Sequence, residues 1–359
     1  MSRKIRQTKD NNIVIVCEGS ETEAPYFEAL KAEVERMHPL KYAKILVVPV
    51  VEEKIKVSVN RSDKKKRALK PAERTYWIHQ EETQELYNEY CSQPVKYVRE
   101  AELFMQRDGF VEAWAVFDHD NLDVRYRRKA FEHAETVDNL NIAFSSVAFE
   151  EWILAHFERN SRPFEKAQCK ERGKAIDCGK NPDVGCDGNR CLAGYLRKQL
   201  YLPDYEKNDH ALFDTLRSRF DIARINAAWL RHLEDGPIYE RNPYTDVDRL
   251  VSRLLGIDKE HVWIRFGEEF KYNGAKIRVE KACDKILIKS ESACVISKDN
   301  LISTDLAGNE NTPLLKNLAF SGVSSPISVN APYLQFKSES KSFFIDLVYE
   351  SIPIQLHID

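Results

Sequence analysis

The sequence predicts an α/β protein: a mostly parallel sheet flanked by helices, with a helical insertion and a C-terminal β-rich appendage. Three observations carry this. Apolar runs such as NIVIV, KILVV and WAVF lack apolar/polar alternation and are separated by helical patterns, as expected of strands covered on both faces. Several of these runs end in carboxylates. Beyond Gly256 the texture changes to short β-type runs, among them AKIRVE, KILIKS and SFFIDLVYE.

The elements follow in order. NIVIVCEG is the first strand, ETEAPYFEALKAEVERMH the helix after it, and YAKILVVPVV the second strand. Residues 52–110 form a connection longer than a simple crossover needs, with a basic cluster and a helix within EETQELYNEYCSQPVKYVREAELFMQRDG, and read as an insertion. VEAWAVFDHDN is the third strand, VRYRRKAFEHAETVDNL a helix, NIAFSS the fourth strand and FEEWILAHFE a further helix. A cysteine-rich segment spans 161–197. NPYTDVDRLVSRLL reads as a helix capped at Thr245 or Asp246. The domain division expected is a tail over 1–10, an α/β domain over 11–256 and a β-rich domain over 257–359.

At 359 residues the chain can bury a sizeable core. Its net charge of −3 gives no global basic field, so contact with nucleic acid has to come from local patches. The opening MSRKIRQTKDNN has no apolar core for a signal peptide, and no run of about 18 apolar residues follows, so a cytoplasmic protein with no membrane contact is expected. Eight cysteines in that compartment read as thiols or metal ligands rather than a disulfide framework.

In a parallel sheet, the loops after the strands share one edge, where such folds place their ligands. Glu18 ends the first strand, Asp118 and Asp120 end the third, and Glu150 opens the helix after the fourth. Carboxylates gathered there repel one another, and a hard divalent cation, Mg²⁺ or Mn²⁺, relieves the repulsion. Such a site can activate water and neutralise charge on a phosphodiester. Glu18 could hold the metal or shuttle a proton. Gly19 allows a tight turn that leaves the N–H groups near Glu21 and Thr22 facing a phosphate. Any one of these acids taken alone could instead be a turn residue or a helix cap.

Three further sets of residues stand out. Cys169, Cys178, Cys186 and Cys191 suit a structural Zn²⁺ site, although only the last pair approaches the usual tight spacing; scattered surface thiols are the other reading. Lys64, Lys65, Lys66 and Arg67 could follow a phosphate backbone or form a solvated helix face. Arg125, Arg127 and Arg128, just beyond the acidic pair, could steer substrate phosphates or face water.

The ordered set VCEGSETEAPYF, VFDHD, AFSSVAFEEWILAHFE, YEKN and NPYTDVDRLV resembles the RloB-like proteins of the TOPRIM superfamily, over roughly residues 11–256. Glu18, Asp118 and Asp120 match the TOPRIM acid and acidic pair, Glu150 and Trp152 the family's Phe-Glu-x-Trp element, and Tyr205 and Lys207 its Tyr-x-Lys stretch. SSVAFEE lacks the Asn-Pro common in that element, and the terminal β region has no counterpart. The resemblance implies a Mg²⁺-dependent nuclease of bacterial antiphage defence acting on DNA, or on RNA including tRNA, often beside an ATPase partner. Lys207 would then stabilise the phosphate in the transition state or pair with an acid. The rival expectation is a regulatory or sensor subunit that holds a metal–nucleotide without turnover.

Overall fold

The computed structural model describes residues 11–49, 93–119, 123–180, 185–233, 235–282, 285–290, 301–304, 310–311, 327–329, 333–338, 340–346 and 354–358. They divide into two units. The first comprises Met1–Leu154, Ser161–Ser218 and Asp235–Leu255; the second comprises Ala155–Asn160, Arg219–Glu234 and Gly256–Asp359. Two short stretches from the middle of the chain therefore cluster with the C-terminal residues rather than with the α/β unit.

The first unit is a mixed α/β structure with a parallel-dominated central sheet. Strands β1 (Asn12–Cys17), β2 (Lys44–Val48), β3 (Glu112–Asp118), β4 (Leu140–Ser146) and β7 (Tyr244–Thr245) run in the order β2-β1-β3-β4-β7. β1 pairs parallel with both β2 and β3, β3 pairs parallel with β4, and β7 pairs antiparallel with β4. Flanking helices are α1 (Glu23–Met37), α2 (Val95–Asp108), α3 (Val124–Glu135), α4 (Glu150–Ala155), α5 (Leu192–Lys198), α6 (Leu212–Leu216) and α8 (Val247–Leu255), and β5 (Lys170–Glu171) and β6 (Lys174–Ala175) form a separate antiparallel hairpin. The β-branched and aromatic residues of β1 and β3 are buried almost without exception, as strands covered on both faces require.

Two local readings change. Helix α2 is not merely part of an inserted segment: its Val95, Tyr97, Val98 and Ala101 join β1, β3 and β4 in one core cluster, so it covers the sheet as a crossover helix does. The stretch before α8 is likewise more than a cap. Tyr244 and Thr245 add a short strand opposite Ser146 and Ser145, and the Asp246 carboxylate accepts the Phe144 N–H at 2.7 Å. That bond ties the start of α8 to the middle of β4.

The second unit contains helix α7 (Phe220–Leu233) and two five-stranded sheets. One joins β9 (Glu269–Tyr272), β10 (Ala275–Ala282), β11 (Lys285–Ser290), β14 (Ile327–Val329) and β17 (Ile354–Ile358). The other joins β8 (Glu260–Ile264), β12 (Leu301–Thr304), β13 (Glu310–Asn311), β15 (Tyr333–Lys337) and β16 (Lys341–Asp346). Phe270 and Tyr272 of the first sheet meet Phe336 and Phe343 of the second with ring centroids 4.8–6.4 Å apart. Trp229 of α7 packs in one cluster with Trp263 and Phe344.

Candidate functional site

Strand order places a switch point at the carboxyl ends of β1 and β3, because the chain leaves β1 for β2 on one side and returns to β3 on the other. Glu18 and Asp118 meet there. The Glu18 N–H donates to the Val116 carbonyl at 2.8 Å, and the Glu18 carboxylate accepts the Asp118 N–H at 3.0 Å. Glu150, opening α4, is fully buried. Burial, followed by the charges of Glu23, Glu18 and Glu150, holds the Asp118 carboxyl well above the ordinary carboxylate range, with Lys207 opposing. A buried acid raised by neighbouring carboxylates in this way marks a candidate functional site.

Glu23 was not singled out as a ligand from the sequence. It is buried in the first turn of α1, and a Cβ added at Gly19 would lie 2.8 Å from its carboxylate. The missing side chain of Gly19 thus makes room for an acid, where the sequence suggested a phosphate cradle. A glutamate four residues after that glycine, across the strand-to-helix turn, was the signal available. The Thr22 hydroxyl donates to the Lys207 carbonyl at 2.7 Å.

Glu150 is partly compensated from within the chain. The buried Tyr205 hydroxyl donates to its Oε1 at 3.0 Å, and Lys207 Nζ lies 3.5 Å from the same oxygen. The other oxygen, Oε2, is buried with no hydrogen-bond partner. An orphaned carboxylate oxygen is costly in a buried site. Trp152, two residues on, is fully buried and donates from its indole nitrogen to the Tyr26 hydroxyl at 3.0 Å.

The four cysteines converge. The sulfurs of Cys169, Cys178, Cys186 and Cys191 all lie within 4.8 Å of one another, a group that can bind a metal ion such as zinc. Among the described residues this is the set of ligand atoms that comes this close together. Burial raises the Cys169 thiol to about 11. Burial also pushes Cys186 up, but amide donation from Gly188 and Arg190 outweighs it and brings that thiol down to about 7.

The basic residues separate into different roles. Arg125 is exposed and ion-paired with Asp123 at 2.6 Å, and its side-chain and backbone bonds hold the Asp123 carboxyl down at about 2. Asp123 itself caps α3 by accepting the Arg125 N–H at 2.9 Å. Arg128 is exposed and pairs with Glu132 at 2.7 Å. Arg127 departs from the expectation of a phosphate-steering residue: it is buried and donates to the carbonyls of Tyr239 and His119 at 2.8 and 3.1 Å. Its guanidinium is therefore engaged with backbone carbonyls of the fold itself. Asp120, Lys64, Lys65, Lys66 and Arg67 lie outside the described residues.

A parallel-dominated α/β unit with carboxylates at its switch point and a thiol quartet in one loop is the class of protein these residues define. The chain belongs to the RloB-like protein family, whose model matches residues 13–254, more than half of its length. No curated protein and no solved structure matches it. Among the described residues, no helix is long and apolar enough to cross a membrane.

Proposed function

We propose that the first unit is a TOPRIM-like domain that hydrolyses nucleic-acid phosphodiesters with Mg²⁺ or Mn²⁺, in the cytoplasm, as part of bacterial antiphage defence. The observation that carries this reading is the pairing of a raised Asp118 with the orphaned buried oxygen of Glu150 at the sheet's switch point. Glu18, Asp118 and Glu150 would hold the metal, with Asp120 as the further acid of the sequence motif. When bound, the cation lowers the pKa of a coordinated water and neutralises charge on the phosphate. Glu18, fixed against the Asp118 amide, is then oriented to hold or take a proton. Lys207 sits on Glu150 and supplies positive charge beside the phosphate position. That the substrate is DNA, or RNA including tRNA, rests on the family resemblance and not on the acids.

A second reading has one observation in its favour. Tyr205 and Lys207 already compensate one oxygen of Glu150, which suits a pocket that holds a metal–nucleotide without turnover, in a regulatory subunit beside an ATPase partner. The two readings part in one experiment. Labelled plasmid, single-stranded DNA and total RNA are incubated with Mg²⁺ or Mn²⁺ and either wild type or Asp118→Ala. Metal-dependent cleavage lost in the variant is expected, by at least about 10²-fold. Metal affinity without cleavage of any substrate would move the regulatory reading ahead.

A further inference from the structure

We propose that the four cysteines hold a resident Zn²⁺ whose loop, through Arg197, positions Tyr205 and Lys207 on Glu150. The sulfur geometry comes first. Four thiolates around a tetrahedral zinc at about 2.3 Å stand about 3.8 Å apart. Cys186 Sγ lies 3.7 Å from Cys169 Sγ and 3.6 Å from Cys191 Sγ, too long for a disulfide and close to the tetrahedral edge.

The backbone is built around those sulfurs. A Cβ at Gly185 would lie 2.6 Å from Cys178 Sγ, and one at Gly194 would lie 2.9 Å from Cys191 Sγ. The Cys186 N–H donates to Cys178 Sγ at 3.2 Å, as amides around metal-bound thiolates do. Cys178 and Cys191 are fully buried and Cys169 is partly buried, and four sulfurs this close together repel as thiolates unless a soft cation joins them. Binding zinc releases the thiol protons and makes loop order depend on metal.

From this loop a continuous set of contacts leads to the carboxylates. Arg197 is buried on α5; its Nη1 donates to the Cys178 carbonyl at 3.2 Å, and its Nε and Nη2 donate to the Tyr205 carbonyl at 3.0 and 2.8 Å. Tyr205 in turn donates its hydroxyl to Glu150, and Lys207 reaches the same oxygen. One guanidinium therefore bridges a cysteine of the quartet to the segment that holds Glu150. Arg197 is the positioning residue here, and loss of zinc would release Tyr205 and Lys207 from Glu150. The consequence for divalent-ion binding rests on the reading of the carboxylate cluster given above.

The full-length chain, purified with zinc present and without chelator, is assayed for metal content and free thiols, then stripped with a thiol-directed mercurial and chelator under reducing conditions. Amide hydrogen exchange and Mn²⁺ affinity are measured before and after. The expected result is one zinc per chain, faster exchange in peptides covering 201–207 after stripping with β1 and β3 still protected, and Mn²⁺ binding weakened about tenfold or more. Arg197→Met should keep the zinc yet reproduce the faster exchange. Chains that carry no zinc, paired disulfides in place of thiols, or unchanged exchange over 201–207 after stripping would overturn the proposal. If exchange responds while neither form binds Mn²⁺, the carboxylate reading fails and the zinc linkage stands.

Discussion

The carboxylates and the thiols of the first unit are two solutions to gathering ligand atoms. The acids come from strand ends and helix starts separated by up to 132 residues, from Glu18 to Glu150, and the sheet alone brings them together. The thiols come from a 23-residue stretch, Cys169 to Cys191, and a loop with a two-residue hairpin wraps them into contact. Hard oxygens on a rigid edge keep one partner-free oxygen at Glu150, whereas the soft sulfurs contact one another. The difference teaches that a site can be held open by fold or closed by its own loop, and the chemistry follows. The proposed function puts an exchangeable, hydrated cation at the first, and the proposed zinc site a cation fully enclosed by protein at the second.

The sharpest break of this comparison is Glu150→Gln. It keeps the shape that Tyr205 contacts and removes the charge, so metal-dependent cleavage should fall by about 10²-fold or more while the metal-free protein gains thermal stability. Loss of both activity and stability would mean that Glu150 is a structural acid held by Lys207. Next in size is Trp152→Ala, beside it. That change opens a cavity in a fully buried site and strands the Tyr26 hydroxyl, and urea titration should register a loss of about 3–5 kcal/mol.

How much of this was legible in sequence follows from the same comparison. Glu18, Asp118 and Glu150 were readable because unalternating apolar runs announce parallel strands, and strand ends in such sheets share an edge. Glu23 was not, because its place depends on the space left by Gly19, which no periodicity records. The cysteines were visible, but their spacing is looser than a tight knuckle, and convergence came from the 170–175 hairpin and the glycines around Cys178. Arg127 was misplaced for a related reason. Its neighbours Arg125 and Arg128 are exposed, and the run of basic residues hides that one position of the helix turns inward toward the His119 and Tyr239 carbonyls.

Metal and pH sharpen the contrast at a smaller scale. The raised Asp118 carboxyl keeps its proton in the folded state over a range where the unfolded chain has lost it, so the folded state binds more protons and stability falls as pH rises through that window. Melting temperature of the metal-free protein should therefore carry a component that declines from about pH 4 upward, and Asp118→Asn should remove it. Added Mg²⁺ or Mn²⁺ should raise melting more at alkaline than at acid pH, because the cation competes with the proton. An equal rise at both would show that the ion binds elsewhere.

The arginines supply the finest test, because neighbouring positions on one helix differ in burial and in partners. Arg127→Met removes donation to two partly buried carbonyls and should cost about 2–3 kcal/mol in stability. Arg125→Ala and Arg128→Ala break only exposed pairs with Asp123 and Glu132, so each should leave stability nearly unchanged. Their expected effect is on binding: each should lower the slope of log affinity for nucleic acid against log salt by about one, without altering sequence preference. Unchanged slopes in both variants would leave these two arginines as solvated charges of α3 and shift the search for the phosphate path to Lys207 and the basic cluster at 64–67.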